Sequence, residues 1–533
     1  MRSGRLAPLV VLGGLLAAGL LYEASEPEEP VDLAPALQAG VALPTARAEP
    51  TLSSTWYCAG GTAAEGGLGD HVVVIANPTD RPRTAVLTVL TGPITEAAAP
   101  VEDAAPVEGA GTTTTTAPPT TTTTAPPTST TEAPPPTQKA VDLPAQSRVE
   151  VRLADLVQAP LAGAVVEVDG GDVSVEHHIT GDLGRATAPC STTASSSWSF
   201  PWGVTTRGNR ELLVFMNPFP DDATVDITFA TDEGVRQPAR FEGFIVPGRS
   251  VVGAWVDQDA RRAQVSADIQ VRHGRLVIDR IQTFDGTDGR TGMTLGLGVP
   301  TPAETWVFPA GQTGDGLLEQ VVVFNPTEEV AEVEVDARLD DPGEAGPPEP
   351  FELTIPPGRY STVDVHAEDR VPPGVGHALI VRSLNGVPVA AERVNAANEP
   401  AANKGITSTT GSPFGGRTWY FPSGGPSTAD GRDEVLVLLN LSNDEEVSYD
   451  VAGFSGGQTI AIEGLQDQTL APGGRAVIRL GDHIDRADLP VVVTASGAVV
   501  VERGLYRIGG LGISQSIGIP SATGLVVPEA LNL

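Results

Sequence analysis

The chain has 533 residues, with 67 acids against 33 bases, a formal net charge of −34. A length of about three to five domains fits these numbers. The charge excludes a nucleic-acid surface, which needs a basic patch to release counterions, and electrostatic docking on anionic lipid.

In chain order, Arg2 and Arg5 precede an apolar run from Leu6 to Tyr22, and Glu23, Glu26, Glu28 and Glu29 follow it. Positive charge before and negative charge after such a run predict an inside N-terminus and an exported remainder. The run is short for a spanning helix and long for a cleaved signal core, and no persuasive cleavage site follows. The expectation is therefore a signal anchor at 1–25 and a linker at 26–52, in a single-pass protein of the cell membrane with an extracellular C-terminal region. Secretion after cleavage is the alternative. Only two cysteines occur, Cys58 and Cys190. In an exported chain, one pair predicts a disulfide.

From residue 53 onward the chain repeats four times. Each repeat opens on a tryptophan: Trp56-Tyr57-Cys58, Trp198-Ser199-Phe200-Pro201, Trp306-Val307-Phe308-Pro309 and Trp419-Tyr420-Phe421-Pro422. An apolar run then ends in Asn77, Asn217, Asn325 or Asn440, 19 or 21 residues after the Trp. A turn arginine follows (Arg148, Arg249, Arg359, Arg475). Next come a glycine turn and a Val-rich strand closing on adjacent acid and base: Glu176-His177, Asp279-Arg280, Glu392-Arg393 and Glu502-Arg503. Alternating stretches such as AEVEVDARL after Asn325, punctuated by Gly, Pro, Asn and Asp, read as antiparallel strands with one wet face.

These features predict an all-β fold, a tandem array of four immunoglobulin-like β-sandwich repeats at 53–195, 196–303, 304–416 and 417–533. The Trp is expected in each core. The Asn is expected to start a turn, since its side chain reaches its own backbone two residues on. The sequon at Asn440 falls on this structural position. The stretch GIPSATGLVVPEA near the end of the sequence resembles a fifth opening strand without its Trp. An exchanged strand or a closed, propeller-like ring would explain it, but the repeat is long for one blade, which favours the open array. The first repeat carries an insertion of Thr/Pro repeats, about 108–138, with no apolar surface for a core, read as a disordered or O-glycosylated projecting loop.

No nucleophile–base motif, phosphate loop or metal-ligand cluster stands out among the seven His and the many carboxylates, so no catalytic, cofactor-binding or metal residue is assigned. His177 and His178 are adjacent on a strand and face opposite ways. The recurrent acid is expected to pair with the turn Arg of its own repeat, as in Arg475 with Glu502. The anchor, the Trp-Tyr-Cys opening and the Asn-Pro strand ends together resemble an uncharacterised family of exported actinobacterial cell-envelope proteins, a domain of unknown function. That resemblance implies an envelope role and transfers no catalytic residues. The functional expectation is a non-enzymatic envelope surface protein for adhesion or scaffolding. An extracellular or wall-glycan binder is the alternative, and a cryptic hydrolase stands third. Expected partners are an envelope protein or wall polysaccharide, with membrane contact through the N-terminal helix and no nucleic acid.

Overall fold

The computed structural model describes residues 42–95, 136–343 and 346–528. The expected anchor and most of the Thr/Pro insertion lie outside the described residues. Among the described residues, no helix is long and apolar enough to cross a membrane. The fold is all-β, apart from short 3-10 turns.

Four units follow one another, each built from two sheets. In the second unit, one sheet runs in the order Ser197–Phe200, Val265–His273, Ala223–Thr231, with Gly234–Arg236 and Phe244–Val246 beside the last. The other runs Thr291–Leu297, Val277–Asp285, Asn209–Asn217, Ser250–Trp255. The first and third units repeat the arrangement. In the fourth, the single long strand Val491–Arg507 passes from one sheet into the other.

Local sequence explains both strand types. In Ala331–Leu339, Ala331, Val333 and Val335 are buried while Glu332, Glu334 and Asp336 face outward, as period-two alternation requires. The strand ending at Asn325 has no such alternation, and Val321, Val322 and Val323 are all buried. Val321 and Val323 enter the sandwich core, whereas Val322 packs with Trp202 and Phe284 of the unit before. Both faces of that strand are dry, and a continuous apolar run is the result.

This second buried face reflects how the units are arranged. They close on themselves, where the sequence favoured an open array. The last strands of the four units, Gly184–Pro189, Thr291–Leu297, Gly405–Thr410 and Ile513–Ile517, pack in succession, the fourth against the first. Polar bonds cross between them, including Thr187 N to Ser514 Oγ at 2.9 Å and Gln515 N to Thr407 Oγ1 at 2.9 Å. Every seam also buries apolar surface. The first unit's core takes in Tyr420 and Ile519, and the fourth unit's core takes in Val307 and Ile380.

The segment that resembled a fifth opening strand instead seals this ring. Ile519 pairs with Tyr420 of its own unit, and Val526 pairs with Gly415. Between them, Ala46 N donates to Pro520 O at 2.9 Å and Ala522 N donates to Ala46 O at 2.8 Å. Stretches near the beginning and end of the described residues are thereby bonded directly.

Candidate functional site

The four tryptophans are buried, with at most 2% of their surface exposed. Indole Nε1 donates to Leu276 O, Val389 O and Val499 O in units two to four, while Trp56 Nε1 has no partner. Each of the four asparagines fastens both sheets. In Asn325, Oδ1 accepts from Thr327 N at 3.0 Å, and Nδ2 donates to Glu329 O at 2.7 Å and across the sandwich to Ile355 O at 2.9 Å. Asn77, Asn217 and Asn440 do the same with Leu143 O, Val246 O and Leu470 O. The amide of Asn440 is thus consumed inside the fold. Cys58 and Cys190 form a disulfide.

The recurrent acid–base pairs form the seams. In each case the base of one unit reaches the acid of the next. Arg280 pairs with Glu392, Arg393 with Glu502, and Arg503 with Glu176, while His177 faces Asp279 at 3.5 Å. Four such links carry the chain once around the ring. The expected pairing within a unit does not occur: Arg475 binds Asp340 at 2.6 Å and Pro309 O at 2.6 Å, both in the third unit. Arg148 reaches Gly424 O in the fourth unit and Glu150 beside it. These two of the four turn arginines therefore serve seams.

Each junction has one construction. The acid caps the backbone N–H two residues past the cysteine or phenylalanine of the neighbour's opening strand. Asp279 Oδ2 accepts from Ala59 N and Gly60 N, and Glu392 Oε2 from Trp202 N. Glu502 Oε2 accepts from Ala310 N, and Glu176 Oε2 from Ser423 N at 3.0 Å and Ser423 Oγ at 2.6 Å. Arg280 and Arg503 also donate to the carbonyls of Trp202 and Ser423. Each guanidinium lies over the phenylalanine of its own opening strand: Arg280 over Phe200, Arg393 over Phe308 and Arg503 over Phe421, at 5.2–5.7 Å.

A further position, six residues before each strand-ending Asn, completes the site: His71, Glu211, Glu319 and Glu434. All four are buried. Burial pushes the Glu211 carboxyl up to about 8 and Glu434 up to about 7. Neither Glu211 oxygen has a hydrogen-bond partner. Glu319 lies 2.9 Å from His377 Nε2.

The first unit departs from this plan. Where the others place Phe against Gly298, Gly411 and Gly518, with no room for a β-carbon, it places Cys58 against Cys190. Where they place Glu and Arg, it has His71 and His177. His71 Nδ1 must donate to Ala162 O at 2.7 Å, so its Nε2 accepts from His177 Nδ1 at 2.9 Å. Neutral His177 then turns an unprotonated Nε2 toward Asp279. Burial holds His71 down at about 4 and His177 well below its usual value, and it pushes Asp279 up to about 7. A protonated Asp279 beside a neutral imidazole satisfies all three, so this seam carries no formal ion pair in mild acid.

His177 and His178 do face opposite ways, the first to His71 and the second to Arg185. Among the described residues, no three His, Cys, Asp or Glu are placed to hold a metal. The axial cavity between the last strands, lined by Thr187, Leu295, Ser408 and Gln515, encloses about 60 Å³. That is room for a few waters and too little for an organic substrate.

Residues 173–366 match a family of unknown function (DUF5719). The match runs from the end of the first unit through the second and into the third. No curated protein matches the chain. Among solved structures, the crystal structure of Thermotoga maritima 1070 is similar at 19% identity and a TM-score of 0.19, covering 21% of this chain and 95% of that one. The Anabaena sensory rhodopsin transducer is similar at 22% identity and a TM-score of 0.15, covering 17% and 83%. At these TM-scores neither likeness carries an argument.

Proposed function

We propose that the protein is a non-enzymatic scaffold of the cell envelope, a ring of four immunoglobulin-like units held outside the membrane by an N-terminal anchor. One observation carries the non-enzymatic reading: the acid–base pair that recurs in every unit is buried in a seam and bonded to backbone. A buried carboxylate that caps a main-chain donor and grips a neighbour's arginine, as Glu176, Glu392 and Glu502 do, has a holding role and presents no surface to a substrate. The charge pattern around residues 6–22 and the single disulfide support export. The acidic outer surface suits a soluble body displayed at the cell exterior.

The test uses the full chain expressed in its own host. It is expected in the membrane fraction, with its folded region cut by protease added to intact cells. Recovery in the cytosol would refute the envelope placement. In-cell cross-linking followed by identification of envelope proteins tests the scaffold role. Retention on purified wall polysaccharide, with no cross-linked protein, would replace scaffolding by glycan binding.

A further inference from the structure

The seam between the fourth and first units breaks the repeat in one respect. Counting from the Cys/Gly position of the last strand, Arg185 of the first unit corresponds to Met293, Ile406 and Ile513 in the others. These three are buried apolar residues. Counting from the base of the acid–base pair, Arg507 corresponds to Gly181, Phe284 and Ala397. Counting back from the strand-ending Asn, Arg432 corresponds to Gly69, Asn209 and Leu317. At the seam between units two and three, Phe284 stacks on Trp202 with Ile406 in the same packed apolar cluster, and Asn209 donates to Thr206 and Asp288. At the seam between units four and one, all three positions are arginine, and a cleft of about 580 Å³ opens where they meet. Three guanidinium groups have replaced glycine, asparagine and apolar side chains at one seam of four, in a chain with twice as many acids as bases.

Their charge is incompletely matched. Arg185 donates to His178 Nδ1 at 2.9 Å, which makes that imidazole an acceptor and neutral, so it supplies no compensating charge. Among the described residues no carboxylate lies within ion-pair distance of Arg185 or Arg507, and Arg185 Nε is buried with no partner. Arg432 is held by Asp430 at 2.7 Å, and Asp433 is taken up by Arg479 at 2.7 Å. Asp182, at the cleft wall, is the remaining carboxylate. The cleft keeps one excess positive charge, presented on planar donors.

We propose that this cleft binds an oxyanion, a phosphate or carboxylate group, gripped by Arg185 and Arg507 and assisted by Arg432. Guanidinium forks match both groups bidentately, and a partly buried fork gains more from them than an exposed one. The proposal is independent of where the protein resides.

The experiment is calorimetric titration of the full chain with inorganic phosphate and, separately, with glucuronate, at constant ionic strength. Saturable binding of either is expected, and which one binds identifies phosphate or carboxylated sugar as the source. Arg185→Met installs the residue of the second unit and is expected to fold normally while weakening binding about tenfold or more. Arg507→Gln, at an exposed side chain, is expected to weaken it as well. Binding of neither anion would overturn the proposal. So would binding that both variants leave unchanged in a chain whose melting temperature is unaltered.

Discussion

If the base of each unit holds the acid of the next, Arg503 and Glu176 should be energetically coupled across 327 residues of sequence. Both are fully buried. Arg503 Nη2 donates to both Glu176 oxygens at 3.0 and 3.1 Å, and Nη1 donates to Ser423 O. Arg503→Met removes these bonds and leaves Glu176 buried with only Ser423 N and Oγ. Breaking one partner of a buried pair costs about 3–5 kcal/mol, so this loss is expected for Arg503→Met. Glu176→Gln strands the guanidinium and frees Ser423 N, and the same range applies. The double variant Glu176→Gln/Arg503→Met leaves no unpaired charge, and its cost should fall below the sum of the two by about 2–4 kcal/mol. The assay is a double-mutant cycle by urea denaturation, followed through the buried tryptophans. The control cycle pairs Glu176→Gln with Asn325→Ala, whose partners Thr327, Glu329 and Ile355 belong to the third unit and are not shared with Glu176, and should give coupling below about 0.5 kcal/mol. Additive effects at 176 and 503, or strong coupling at 176 and 325, would refute the reasoning.

Other predictions concern single positions. Glu211 has a folded value of about 8 against an ordinary 4.5, so the folded state holds its proton more tightly and stability falls as pH rises between those values. Glu211→Gln mimics the protonated form; it should be neutral at pH 5 and stabilising by a few kcal/mol at pH 8, as thermal denaturation at the two pH values would reveal. A stabilisation equal at both would contradict this. Asn325→Ala leaves Thr327 N and the Ile355 carbonyl without their bonds and should cost about 2–4 kcal/mol in denaturation experiments. An effect under about 0.5 kcal/mol would contradict the fastening role. Reduction of Cys58–Cys190, which closes a loop of 132 residues, should lower stability by about 3–5 kcal/mol. Comparing denaturation with and without reductant checks it, and an unchanged midpoint would mean that the first unit does not depend on its cross-link.

Much of this was legible in the residues, for reasons that particular positions make clear. Trp, Asn and the acid–base pair recur at near-constant spacing because one sandwich is built four times. Period-two alternation reports any strand with one wet face. The seams were harder to see. The pair Glu502-Arg503 is contiguous in sequence, yet its two members serve different neighbours, and no spacing rule encodes contacts between units. One signal was available: VVVIA, LLVFM, VVVF and VLVLL are apolar without alternation, which requires both faces of those strands to be dry, and in an open array of separate sandwiches one face would be wet. The glutamate six residues before each Asn was a second. Its replacement by His71, together with Arg by His177 and Phe–Gly by Cys58–Cys190, marks the first unit as distinct. The three-arginine seam could not be found before the register of the last strands was known, because Arg185, Arg432 and Arg507 come from three separate strands.

The central claim is closure of the ring between the first and fourth units, and a cross-link tests it most directly. Half-buried Gln146 and exposed Thr459 meet side chain to side chain at 2.9 Å although 313 residues separate them. The variant Gln146→Cys/Thr459→Cys, treated with a short thiol-to-thiol cross-linker at low protein concentration, should form an intramolecular bridge in high yield, resolved by gel mobility and peptide mapping. Bridging only between molecules, or none, would contradict closure and leave an open array of units.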